Sequence, residues 1–182
     1  MKTIITVVAL AITIISCTQK NKQEGTSKTE SATKVAAQSA FSIDIIVKNY
    51  LAIKNSLAND DSDAAADAGK ALSETMAKTD MKKVSADQME AYMSITDDAK
   101  EHADHIGSNG GKIEHQREHF ITLSKDMNDL IQLFGTNQKL YLDFCPMADD
   151  NKGAVWISET KEITNPYFGK DMATCGSIKK EF

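Results

Sequence analysis

The chain has 182 residues, enough for one domain with a tail; 41% are hydrophobic, 26% are charged and only two are proline, which excludes a Pro-rich linker or a collagen-like chain. Lys plus Arg number 21 against 26 Asp plus Glu, a net charge of −5, and an acidic surface argues against the generic phosphate-neutralising grip of nucleic-acid binders. No Gly-rich phosphate loop, nucleophile elbow or His-Glu-x-x-His signature occurs, so no enzymatic role is expected and a metallohydrolase reading lacks its motif.

Lys2 precedes an apolar stretch, Ile4 to Ile15, that is too short to span roughly 30 Å of hydrocarbon as a helix. It reads as a signal peptide over residues 1–16. Its end, Ile14-Ile15-Ser16-Cys17, resembles a bacterial lipobox, which implies cleavage before Cys17 and acylation of that residue. Multiple acyl chains would hold the mature chain on a membrane of the cell envelope, facing the periplasm, with inner and outer membrane both open. Residues 17–37 add a polar run of Lys, Ser, Thr, Gln and Glu that buries too little to order itself and reads as a tether.

Residues 38–182 read as one domain, mainly α: an up-down bundle of three to four helices capped by an irregular segment over 136–182. Phe41, Ile45, Ile46, Tyr50, Ile53 and Leu57 recur at helical spacing, and Asn59-Asp60-Asp61 stops that helix and offers caps to the next. Residues 62–79 are Ala-rich, with Ala65, Ala68, Leu72, Thr75 and Met76 on one stripe that allows close packing. Ser85 to Gln88 has the form of a capping box, followed by Met89, Tyr92, Met93, Thr96, Ala99, Ala103 and Ile106 on one face. Gly107 to Gly111 ends that helix. A fourth begins near Lys112, with Ile113, Gln116, Phe120, Leu123, Met127, Leu130 and Phe134 on its stripe and Gly135 at its C-cap.

The last segment changes character. Leu140 to Phe144 is an apolar run that suits strand or helix, and Lys152 to Ser158 reads as a turn then a strand. Asn165-Pro166-Tyr167-Phe168-Gly169 is turn chemistry with two aromatics. Irregular structure with a small hairpin, laid over one end of the bundle, is expected.

All four histidines lie between His102 and His119. His102 and His105 are three apart; His115 and His119 are four apart; each pair shares a helical face, and the glycine loop folds the pairs to similar heights. Neutral imidazole is a ligand for Zn, Cu and Ni, and Glu101, Glu114 or Glu118 could act as ligand or outer acceptor. Solvated, ion-paired histidines are the alternative. Once Cys17 carries lipid, Cys145 and Cys175 remain. Each has a methionine close by, Met147 and Met172, a soft donor pair suited to Cu(I). In an oxidising compartment the two cysteines also suit a disulfide closing a loop of about 30 residues, or a redox pair.

Tyr141, Cys145-Pro146-Met147-Ala148, Gly153 to Ser158, Ile163, Asn165 to Gly169 and Met172 to Gly176, with Glu101 to Ile106 and Gln116 to Phe120 upstream, resemble the bacterial family called domain of unknown function 3347. The resemblance runs over roughly residues 40–180. It implies His102, His105, His119, Cys145, Met147, Met172 and Cys175 as candidate metal ligands; His115 lies outside the pattern. That family's domains also occur in heavy-metal efflux adaptors, where a Cys-Pro-Met-His stretch has histidine at the position of Ala148. The resemblance thus implies a periplasm-facing lipoprotein that binds a soft metal, copper foremost, and buffers it or delivers it to an efflux adaptor. The alternative is a non-metal interaction module, stapled by a Cys145–Cys175 disulfide, that docks on an envelope protein through Trp156, Tyr167 and Phe168.

Overall fold

The computed structural model describes residues 41–182. The signal peptide expected over 1–16, the acylation expected at Cys17 and the tether expected to residue 37 lie outside the described residues. None of the described helices is long and apolar enough to cross a membrane.

Four helices run up and down in chain order: α1 (Asp44–Ala58), α2 (Ser62–Ala77), α3 (Met89–Ser108) and α4 (Ile113–Phe134). The apolar stripes explain their packing. Tyr50, Ile53 and Leu57 of α1, Leu72 and Met76 of α2, Ala99, Ala103 and Ile106 of α3 and Phe120, Leu123 and Met127 of α4 are all buried in one core. Asp61 caps α2 by accepting from the Ala64 amide at 2.9 Å. Gly135 ends α4 at φ 74°, a conformation that costs a Cβ-bearing residue more. The capping box expected at Ser85 does not form: α3 starts at Met89 after a turn, and Ser85 Oγ donates to the Gln88 side chain at 2.7 Å. Ile45 and Met93 also leave the stripes assigned to them, at 61% and 46% exposure.

The C-terminal segment is more ordered than its composition suggests. β1 (Tyr141–Cys145), β2 (Ala154–Ser158) and β3 (Ser177–Glu181) form an antiparallel sheet in the order β2-β1-β3. Between β1 and β2 the chain reverses through Asp149, Asp150 and Asn151, all in the left-handed region. The sheet lies along α1 and α4, not over one end of the bundle. Tyr50, fully buried on α1, shows why: its hydroxyl accepts from the Ile157 amide of β2 at 3.0 Å and shares a hydrogen bond with Ser124 Oγ of α4 at 2.8 Å. The strand therefore closes the seam that α1 and α4 leave open.

Two contacts fix the end of the bundle where α3 turns into α4. Gln116 is fully buried and donates to the carbonyls of Ser62 and Ile106 at 2.9 and 3.1 Å, while accepting from Ser62 Oγ. Arg117 donates to the carbonyls of Pro166 and Leu57, to Asp60 and to Glu114. One guanidinium thus ties α4 to the α1–α2 turn and to the aromatic turn of the C-terminal segment.

Candidate metal centre

The α3–α4 hairpin brings the histidines together as their spacing requires. His119 lies at the middle: its ring centroid is 4.2 Å from His105, 4.7 Å from His115 and 5.2 Å from His102. His105 and His119 stack almost parallel, and His102 and His119 oppose their Nδ1 atoms at 2.9 Å. One ligand atom from each of His105, His115 and His119 lies within 4.8 Å of the others. A tetrahedral ion about 2.1 Å from each nitrogen needs them roughly 3.4 Å apart, a gap that side-chain rotation closes.

The electrostatics favour ligation. His119 is held below the usual imidazole range, first by burial and then by the neighbouring His105, His102 and His115, with Glu118 opposing. It therefore stays neutral and keeps a lone pair for a cation. Glu118 Oε2 accepts from His115 Nδ1 at 3.1 Å, which leaves Nε2 of that ring free. The cluster faces solvent, with His105 exposed and His115 and His119 partly so, as an exchangeable site needs. Glu114 turns away to Arg117 at 2.8 Å. Glu101 is exposed on α3.

The two cysteine sulfurs meet elsewhere. Strand alternation sends Tyr141, Asp143 and Cys145 of β1 into the core, so Cys145 is fully buried and meets Cys175 with the sulfurs 2.7 Å apart. The Cys175 thiol is pushed up to about 11, first by its hydrogen bond with Cys145 and then by burial, and so stays protonated at neutral pH. Met172 is partly exposed at the end of the Gly169–Met172 turn. Met147, at 46% exposure, borders an open cleft of about 370 Å³ with Arg117, Glu118, Asp149 and Phe168. Among the described residues, no group of three or more His, Cys, Asp or Glu donors joins a cysteine to a histidine. The combined nitrogen–sulfur ligand set is therefore corrected: the two cysteines pair with each other, apart from the histidines, and Met147 borders the cleft that Glu118 lines.

The aromatic docking face is also corrected. Trp156 is fully buried and Tyr167 is 5% exposed. Their rings meet edge to face at 5.9 Å, and Tyr167 Oη donates to the Val155 carbonyl. Only Phe168 is partly exposed. The β2 pleat and the turn at Asn165, whose side chain accepts from the Tyr167 and Phe168 amides, aim these rings inward.

Two residues of the seam escaped the sequence reading, Asp98 of α3 and Asp126 of α4, whose carboxylates converge on His102. The available signal was Asp98 four residues before His102, and Asp126 between Leu123 and Leu130 on an otherwise apolar stripe.

These features define a class: a mainly α four-helix domain with a small antiparallel sheet and a polyhistidine seam. The chain belongs to the family described as Protein of unknown function (DUF3347), whose model matches residues 46–139. The match runs from the first turn of α1 through α4, takes in all four histidines and ends before the cysteine segment. No curated protein and no solved structure matches the chain.

Proposed function

We propose that this chain is a periplasm-facing lipoprotein that binds a transition metal, copper foremost, and buffers it or delivers it to an efflux system. The observation that carries the reading is the convergence of His105, His115 and His119 from two helices, with ligand atoms within 4.8 Å. An all-imidazole set suits Cu(II), Zn(II) and Ni(II), and the affinity order of divalent ions places Cu(II) highest. Exposure of the site favours exchange over a buried structural role. The Ile14 to Cys17 lipobox supplies the anchor, and the family's occurrence in efflux adaptors supplies the recipient. In this reading Cys145 and Cys175 form a structural disulfide rather than a thiolate site.

Isothermal titration of the metal-stripped full-length chain with Cu(II) tests the proposal. The first ion is expected to bind tighter than about 1 μM, and this tight step is expected to be lost on combining His105→Ala with His115→Ala. A weaker first step, or a tight first step unchanged by the double substitution, would sink it.

A further inference from the structure

Beside the three-imidazole centre, the α3–α4 seam holds a second donor set of different chemistry. Asp98 and His102 share a face of α3, with His102 Nε2 3.7 Å from Asp98 Oδ1. Asp126 reaches the same point from α4, and one ligand atom from each of the three lies within 4.8 Å of the others. Asp126 is the telling member. It is only 9% exposed, and its Oδ2 has no hydrogen-bond partner. An unpaired buried carboxylate oxygen is expensive, and a second carboxylate nearby makes it more so. Lys125 is close enough to ease the charge but forms no ion pair with it. An apolar residue would suit this stripe better, flanked as it is by Leu123, Met127 and Leu130.

We infer that Asp98, His102 and Asp126 form a second divalent-cation site, distinct from the three-imidazole centre and sharing no ligand with it. Two carboxylates and one neutral imidazole carry two negative charges, which balance a divalent ion. The oxygen-rich set is harder than the histidine triad and suits Zn(II), Mn(II) or Co(II) better than Cu(I).

The contact between His102 and His119 makes the two sites unequal. With the Nδ1 atoms 2.9 Å apart, one must carry a proton and the other accept it. If His119 donates, its Nε2 is free for the triad, and the proton of His102 resides on Nε2, facing Asp98. For His102 Nε2 to bind a cation, that proton must move to Nδ1, where it meets the Nδ1–H of His119. One ring then has to turn. The second ion therefore binds at the expense of this hydrogen bond, after and more weakly than the first.

The test is titration of the metal-stripped full-length chain with Zn(II), read by calorimetry and native mass spectrometry. Wild type is expected to take two ions, the second at least about tenfold more weakly. Asp126→Asn and Asp98→Asn should each keep one, and the His105→Ala, His115→Ala double variant should keep one through the carboxylates. Melting curves without metal verify folding; Asp126→Asn, which removes a buried unpaired charge, should melt no lower than wild type. A wild-type chain that takes one ion, lost in the histidine variant and unchanged in both aspartate variants, overturns this site and leaves the triad standing. An ion lost in the aspartate variants but kept in the histidine variant does the reverse. No ion at all overturns both.

Discussion

Gly69 of α2 and Gly107 of α3 meet backbone to backbone: a Cβ on Gly69 would come 2.8 Å from the Gly107 nitrogen and 2.9 Å from the Ala103 carbonyl oxygen. Alanine normally gains about 0.5–1 kcal/mol over glycine inside a helix. Here the clash is with backbone, which cannot swing aside. Gly69→Ala is expected to destabilise by about 1–3 kcal/mol despite its better propensity. Urea unfolding measures this, and a neutral or stabilising result would mean that the helices separate freely. Because Gly107 stands two residues after His105, the same variant should also weaken Cu(II) binding.

Arg117 yields a second prediction. Its guanidinium makes four hydrogen bonds, to Pro166, Leu57, Asp60 and Glu114, and it is 8% exposed. Arg117→Lys keeps the charge but cannot reproduce the fork. We expect it to lose about 2 kcal/mol or more, and Arg117→Ala about 3–4 kcal/mol, since two buried carbonyls lose their donor. Equal stability of the Lys variant and wild type would show that charge alone matters.

Asp143 predicts a pH dependence. It is fully buried on β1 with neither carboxylate oxygen hydrogen-bonded, and burial pushes it up to about 6, with Lys54 pulling the other way. The folded chain therefore holds this proton more tightly than the unfolded chain, where the group titrates near its ordinary 3.8. Its contribution is full below that value and is lost as pH rises towards 6. The metal-free protein should be more stable at pH 4.5 than at pH 8 on this account. Asp143→Asn should flatten that slope and raise stability at pH 8 by about 1–3 kcal/mol. Thermal melts of both proteins at the two pH values decide it.

The cysteine pair predicts a redox dependence. Joining Cys145 to Cys175, 30 positions apart, should stabilise the fold by about 3–4 kcal/mol in the chain-entropy model. Oxidised protein is then expected to melt roughly 10 °C above the reduced form. The Cys145→Ser, Cys175→Ser double variant should melt at one temperature in both conditions. Rapid reaction of native reduced protein with a bulky thiol reagent would argue against the observed burial of Cys145.

How far the sequence could be read depended on how each residue's partner is coded. The α4 stripe from Ile113 to Phe134 and the cap at Gly135 were legible because period and punctuation agree. The histidine cluster was legible for the same reason, its spacing being helical. β3 was not, since Ser177–Glu181 is exposed along its whole length and no alternation marks it. Trp156 and Tyr167 were misread as a surface because turn-rich neighbours suggest exposure, whereas pairing with β1 and the Asn165 turn bury them. Asp98 and Asp126 look like ordinary helical acids until the register of α3 against α4 is known. The separation of sulfur from nitrogen followed from the pleat of β1, which no local pattern announces.

All four imidazoles are complete by residue 119, before the first strand begins at Tyr141. Closing a helical hairpin across so short a loop is fast compared with pairing distant strands. An ion bound to the proposed triad would therefore nucleate the α3–α4 hairpin before the sheet pairs. Capture of a cation and final closure of the core would then be successive events, with the bound ion serving as a template for folding.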